Sequence, residues 1–127
     1  MVSLVVVSHS AALAEAAREL AAQVGGPEVL IEVAGGGPEN ALGASVDAVE
    51  SAFEKASGPD GVVFLGDLGS AIIAIKAVLM GQDESIARLA DAPLVEGLVA
   101  AAVTASAGGS IDAVVGAAEA ARTSSKT

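Results

Sequence analysis

The chain has 127 residues, of which 53% are hydrophobic and 2% aromatic, and its formal net charge is −10 at pH 7. This length suits one domain with one core, which must consist mainly of Ala, Val, Leu and Ile side chains. A strongly acidic chain with so few aromatic residues excludes nucleic-acid binding, which requires a basic surface or stacking platforms. The absence of cysteine excludes disulfides and thiolate metal sites.

Two apolar stretches are the candidates for targeting or membrane segments. Residues 2–7 have no basic flank and are too short for a signal peptide or a membrane span, and the Ala-rich residues 98–107 are also too short to cross a bilayer. We therefore expect a soluble, cytoplasmic protein.

Short β-branched runs alternate along the chain with longer, Ala-rich segments of helical periodicity. Ser10 is placed to cap the first helix, and Gly108 and Gly109 separate the last two helices, the second of which Ser110 can cap. In chain order, the predicted elements are a strand over residues 2–7, a helix from Leu13 to Val24, a strand over 29–33, a helix around Val46, Val49 and Phe53, a strand over 62–65, a helix over 71–80, a strand over 86–90, a helix from Pro93 to about Ala107, and a helix from Ile111 to about Arg122.

This order of elements predicts an α/β fold with a mostly parallel four-stranded sheet and helices on both faces. Chain reversal is commonest between strands one and three, so we expect the strand order 2-1-3-4 and a crevice flanked by the carboxyl ends of strands one and three. One domain is expected over residues 1–122, followed by a polar tail over 123–127 that we expect to fray.

His9, the only histidine, directly follows the first predicted strand in the sequence Val-Ser-His-Ser. Reactive groups of open α/β sheets gather at the carboxyl ends of strands. Imidazole titrates near neutrality, so it can attack phosphorus without an assisting base. We predict that His9 is the nucleophile; the alternative is a histidine that only packs or caps at a strand end. One histidine without cysteine supplies too few ligands for a metal site.

A Gly-Asp-Leu-Gly-Ser turn follows the third predicted strand. We expect the Asp67 carboxylate to accept a hydrogen bond from one imidazole nitrogen of His9 and so to orient the ring. The alternative is that Asp67 caps the following helix. Donors at the start of that helix and beside the histidine are favourable for phosphoryl oxygens. The predicted phosphate-binding residues are Ser10, Gly69, Ser70 and Ala71.

Two further interpretations follow from the same residues. The glycine-rich loop over residues 35–40 lacks the ending of a P-loop and the spacing of a dinucleotide fingerprint, so we interpret it as a flexible loop.

The rival function is a receiver-like regulatory module phosphorylated on Asp67. Receivers need an acidic pair after the first strand to hold magnesium, and Ser8 and His9 occupy that place.

Three segments together resemble a known family: Val-Val-Ser-His-Ser ending at Ser10, Gly-Asp-Leu-Gly-Ser-Ala over residues 66–71, and Ala-Pro-Leu-Val-Glu-Gly over residues 92–97. They are similar to the phosphotransfer subunit of the bacterial PTS-dependent dihydroxyacetone kinase, whose fold is similar to that of the mannose-type IIA domains of the phosphoenolpyruvate:sugar phosphotransferase system (PTS). The resemblance spans roughly residues 1–122. A IIA component of a mannose-type sugar permease is the alternative within this family.

The resemblance implies that His9 receives a phosphoryl group from phosphohistidine on the carrier protein HPr and passes it to ADP on the nucleotide-binding subunit of dihydroxyacetone kinase. The phosphorylated histidine of the family corresponds to His9, and its Asp-x-Gly-Ser turn to Asp67, Gly69 and Ser70. The resemblance also implies a homodimer that binds no cofactor itself, with ADP or ATP and magnesium on the partner subunit. Larger relatives add HPr-like and enzyme-I-like domains, so we expect separate carrier proteins here.

Overall fold

The computed structural model describes residues 1–36 and 45–127, so Gly37 to Asn40 of the predicted flexible loop lie outside the described residues. In chain order, the elements are β1 (Ser3–Ser8), α1 (Ala11–Gly25), β2 (Ile31–Gly35), α2 (Val46–Ala56), β3 (Val62–Gly66), α3 (Gly69–Leu79), β4 (Ala87–Leu89), α4 (Leu94–Ser106) and α5 (Ile111–Ala120). Every predicted element is present, with shifted ends. No helix within these two ranges is long and apolar enough to cross a membrane.

The strands form one sheet in the order β2-β1-β3-β4, and all three pairs are parallel. This confirms the predicted α/β fold and strand order. The central strands β1 and β3 are buried along their whole length, as their almost entirely apolar sequences predict. The register pairs Ser8 with Gly35 and Val7 with Gly66, so the carboxyl ends of β1, β2 and β3 meet at one edge of the sheet.

Small side chains build the two apolar layers that cover the sheet. Leu4 and Val6 pack with α1, α4 and α5 on one face, whereas Val5 and Val7 pack with α2 and α3 on the other. This alternation follows from the two-residue period of a strand. A Cβ atom added to Gly25 would lie 2.8 Å from the Cβ of Ala102. The small residues therefore allow α1 and α4 to approach each other closely.

Serine side chains cap some of the helices but not others. The side chains of Ser10, Ser45 and Ser110 cap α1, α2 and α5, which confirms the predicted roles of Ser10 and Ser110. By contrast, α3 and α4 have no side-chain cap, although each follows the carboxyl end of a strand, as α1 and α2 do. Pro93 lies at the N-cap position of α4 and not in its first turn, because its ψ of 136° is extended.

The polar tail folds back onto the protein, whereas the sequence predicts that it frays. Arg122 lies 3.3 Å from a carboxylate oxygen of Asp91, and Lys126 lies 2.9 Å from one of Glu96. The hydrogen bond from Lys126 lowers the pKa of Glu96 below its usual value. All four side chains are exposed to solvent, so these ion pairs add little to stability. They do place the tail beside the start of α4.

Two helical glycines give a matched test of this packing. A Cβ at Gly97 in α4 would lie 2.8 Å from the Cβ of Ala92, whereas one at Gly116 in α5 would meet nothing within 4 Å. We expect Gly97→Ala to lower the free energy of unfolding by about 1–3 kcal/mol because the core is overpacked. Gly116→Ala should raise it by about 0.5–1 kcal/mol through helix propensity. Urea unfolding measures both, and equal effects of the two variants would contradict the close packing.

Candidate functional site

The turn that carries His9 lies between the turns that follow β2 and β3. The main-chain N–H of Gly36 donates to the carbonyl of Ser8 at 3.4 Å, and that of Asp67 donates to the carbonyl of Val7 at 3.3 Å. These bonds continue the parallel ladders beyond the strands. They bring His9 and Asp67 together at the sheet edge where the sequence predicts the site.

Gly35, at the end of β2, permits a close approach to the His9 turn. A Cβ at this position would lie 2.6 Å from the Cα of Ala11 and 3.1 Å from the carbonyl oxygen of Ser10. Since both contacts involve backbone, any side chain would displace the start of α1. The sequence predicts this glycine only as part of a flexible loop and does not indicate its close packing against the start of α1.

The Asp67 carboxylate binds the His9 turn from the neighbouring strand. One of its oxygens accepts the hydroxyl of Ser8 at 2.7 Å, and both accept the main-chain N–H of His9 at 3.1 Å. It also accepts the N–H of Leu68 at 2.7 Å. In residues 1–36 and 45–127, no lysine or arginine forms an ion pair with it. The charge of Asp67 is therefore met by neutral donors.

These contacts differ from both predicted roles of Asp67. The predicted hydrogen bond from the imidazole is absent, because the carboxylate lies against the main chain of His9 and not against its ring. Asp67 does not cap α3 either, since Leu68 is the N-cap and no side chain caps this helix. Asp67 therefore holds the position of the His9 backbone.

The two ring nitrogens of His9 have different surroundings. Nδ1 is buried and has no hydrogen-bond partner within the described ranges. The residue as a whole is partly exposed. Since Nδ1 is enclosed, Nε2 is the candidate for contact with a reactant.

Ser8 and Ser10 continue the hydrogen-bond chain through the turn. The Ser8 hydroxyl oxygen accepts the main-chain N–H of Ser10 at 2.9 Å, and the Ser10 hydroxyl oxygen accepts the N–H of Leu13 at 3.3 Å. Because the N–H of Ser10 is used inside the turn, only its hydroxyl proton is left to bind a ligand. From the sequence, Ser8 was considered only as a residue in the place of a receiver's acidic pair, and its part in this network was missed.

The start of α3 presents free donors directly after Asp67. The first helical main-chain bond of α3 runs from the N–H of Ile72 to the carbonyl of Leu68. The N–H groups of Gly69, Ser70 and Ala71 donate to no acceptor in the part of the chain that the structure describes. Such a helix start favours an anion, because the N–H groups and the helix dipole point toward it.

The larger cavities of the described residues lie away from His9. One of about 390 Å³ is lined by residues of α1 and β2, including Glu15, Arg18 and Ile31. Another, of about 430 Å³, lies between α2 and α3 beside Phe53 and Met80. His9 lines neither of these two cavities, and it is partly exposed to solvent.

Comparison with known proteins identifies the family. The model of the EIIA-man family, described as PTS system fructose IIA component, matches residues 3–115. The chain is 42% identical over 121 residues to the "PEP-dependent dihydroxyacetone kinase, phosphoryl donor subunit DhaM" of Pantoea ananatis, which covers 91% of the chain and 26% of that protein. It is 31% identical over 106 residues to the "PEP-dependent dihydroxyacetone kinase 2, phosphoryl donor subunit DhaM" of Listeria innocua, covering 81% of the chain and 85% of that protein.

Among solved structures, the crystal structure of EF1359, a protein described as of unknown function, superposes with a TM-score of 0.83 at 26% sequence identity and covers 94% of the chain. The chain spans about a quarter of the Pantoea ananatis relative (26%) and most of the Listeria innocua relative (85%). These findings confirm the resemblance inferred from the segments around His9 and Asp67. The chain therefore belongs to the EIIA-man family of PTS IIA components and is a relative of the DhaM phosphoryl donor subunits.

Proposed function

We propose that this chain is a phosphohistidine carrier. His9 accepts a phosphoryl group from phospho-HPr and passes it to ADP on the nucleotide-binding subunit of dihydroxyacetone kinase. The observation that carries this proposal is a partly exposed histidine beside a helix start whose first N–H groups have no acceptor among the described residues. The relatives named as phosphoryl donor subunits of a PEP-dependent dihydroxyacetone kinase support it.

The reacting atom is Nε2 of His9. Nδ1 is buried, so an incoming phosphorus atom reaches only the other nitrogen. The Nε2 lone pair forms the new N–P bond while the N–P bond of the donor phosphohistidine breaks, and the donor imidazole leaves with the electron pair. The reverse exchange at phosphorus, with an oxygen of ADP as the nucleophile, regenerates free His9.

Neutral groups stabilise the phosphoryl oxygens. The N–H groups of Gly69, Ser70 and Ala71 and the hydroxyls of Ser10 and Ser70 are the proposed ligands, and their dipoles are in place before transfer. Among the residues that the structure describes, no lysine or arginine forms an ion pair with Asp67, the acid of this turn. A site without fixed cations stabilises the transferring group by position more than by strong ground-state binding, so that the phosphoryl group stays transferable.

The proposed partners are proteins. HPr supplies the phosphoryl group, the nucleotide-binding subunit of dihydroxyacetone kinase accepts it with its own ADP and magnesium, and the chain acts as a homodimer without a cofactor of its own. The partial exposure of His9 supports contacts of this kind. A IIA component of a mannose-type sugar permease would use the same histidine, so the acceptor protein separates the two functions.

Replacement of His9 tests the proposal directly. Wild-type protein incubated with radiolabelled phosphoenolpyruvate, enzyme I and HPr should gain one phosphoryl group that is stable in base and labile in acid. His9→Ala should gain none, because the only imidazole is lost. Nitrogen NMR of the labelled wild-type imidazole should place the phosphoryl group on Nε2. Addition of the dihydroxyacetone kinase subunits with ADP should then discharge it.

Other outcomes of this experiment would contradict the proposal. Acid-labile phosphate retained by His9→Ala would exclude His9 as the acceptor. A base-labile phosphate that disappears in Asp67→Asn would instead favour the receiver-like module. Discharge to a sugar permease component, with none to the dihydroxyacetone kinase subunits, would assign the chain to the permease branch.

Gly69 offers a test of the proposed phosphate donors. It is the first residue of α3, and Leu68 before it is extended, with φ −122° and ψ 173°. Proline is tolerated at the first position of a helix and after an extended residue. Gly69→Pro therefore removes one N–H group without breaking the helix. We expect Gly69→Pro to slow phosphorylation about tenfold, the usual effect of losing a hydrogen bond to a charged group.

Gly69→Ala is the matched control for this experiment. It keeps the N–H group, and its Cβ would meet nothing within 4 Å. This variant should transfer at close to the wild-type rate, and both variants should melt near the wild-type temperature. Equal transfer rates in the proline and alanine variants would show that this N–H group does not bind the phosphoryl group.

A further inference from the structure

Ser8 is one of two buried polar residues of β1 and lies at the reactive end of this strand. Its exposed fraction is 0%, and its hydroxyl contacts the Asp67 carboxylate at 2.7 Å and the Ser10 N–H at 2.9 Å. We propose that Ser8 is a positioning residue for phosphoryl transfer at His9. This inference rests on the function proposed above and deepens it.

The directions of these hydrogen bonds follow from the chemistry of the groups. A serine hydroxyl has one proton to donate. The main-chain N–H of Ser10 can only donate, so it points at a lone pair of the Ser8 oxygen. The proton of Ser8 then goes to Asp67, whose ionised carboxylate can only accept. The result is a directed chain from Ser10 through Ser8 to Asp67.

This chain fixes the backbone on both sides of the reactive residue. Asp67 accepts the N–H of His9 itself, the hydroxyl of the residue before it, and through that hydroxyl the N–H of the residue after it. Three consecutive residues are therefore tied to one carboxylate on the neighbouring strand. The Cα–Cβ direction of His9, and with it the distance from Nε2 to the start of α3, depends on this arrangement.

The hydroxyl at position 8 supplies an acceptor for the Ser10 N–H that the backbone of residue 8 does not supply. The carbonyl of Ser8 accepts the N–H of Gly36, so the main chain here is already bound to the loop after β2. Alanine would keep that bond but leave the Ser10 N–H without its acceptor and Asp67 with one donor fewer. Transfer depends steeply on the geometry of the reacting atoms, so a loosened turn slows it even when the fold is kept.

The experiment compares Ser8→Ala with Ser8→Thr and Ser3→Ala in the phosphorylation assay with phosphoenolpyruvate, enzyme I and HPr. Ser3 is a matched control because it lies buried in the same strand at the opposite end, with 8% exposed. We expect Ser8→Ala to lower the rate at saturating HPr about ten- to a hundredfold, with KM little changed. Ser8→Thr keeps the hydroxyl and should recover most of the rate, and Ser3→Ala should behave as wild type.

Two measurements distinguish positioning from a general loss of stability. Amide hydrogen exchange at Ser10 should become faster in Ser8→Ala and stay slow in Ser3→Ala, because only the first variant removes its acceptor. The effects of Ser8→Ala and Asp67→Asn on the rate should be less than additive when combined, because both variants break one chain. Should Ser8→Ala fail to fold, Ser8→Cys fills nearly the same space with a weak donor and takes its place.

Wild-type phosphorylation separates this inference from the proposed function. If wild-type protein is phosphorylated on His9 and Ser8→Ala is phosphorylated at the same rate, the role of Ser8 is overturned and the carrier function stands. A fall in rate that Ser8→Thr does not recover, with unchanged exchange at Ser10, also overturns it. If wild-type protein is not phosphorylated at all, the carrier function itself is wrong.

Discussion

One carboxylate holds the candidate site together. Asp67 is placed by β3, but its hydrogen bonds reach the turn after β1, where they bind the main chain of His9 and the hydroxyl of Ser8. Charge-assisted hydrogen bonds of this kind are about twice as strong as those between neutral groups. The turn that carries His9 is therefore held from a neighbouring strand, and its location depends on the pairing of β1 with β3.

That pairing depends in turn on a core of small residues. The two central strands are buried on both faces, and the helices that cover them pack through alanine and glycine at short distances. Close packing makes such a core stiff, since a single added methyl group requires its neighbours to move. At the edge of the sheet, Gly35 extends the same close packing to the first residue of α1. The fold thus supplies a rigid base for the partly exposed histidine.

The sequence predicts the large features of this protein and brings the candidate reactive residue, His9, to the edge of the sheet. β-Branched runs and Ala-rich periodicity predict the element order, and the parallel topology places His9 near Asp67. The role of Asp67 within the site was less predictable. Small differences in the position of the strand end decide whether its carboxylate contacts the imidazole of His9 or the main chain of His9. Ser8 was missed for the same reason, since a serine in a strand carries no sequence pattern that marks a hydrogen-bond relay. The tail was predicted to fray because it is a polar chain terminus. Its contacts could not be predicted, since the ion pair of Lys126 with Glu96 joins residues far apart in the chain.

The start of α3 has no side-chain cap. A helix that lacks an N-terminal acceptor is completed when an anion arrives, so a phosphoryl group on His9 would act as the missing cap of α3. Under the proposed function, the phosphorylated and unphosphorylated forms would differ in the local order of this first turn. A partner protein that contacts the turn would then distinguish the two forms without touching the imidazole itself, and the unphosphorylated form would dissociate.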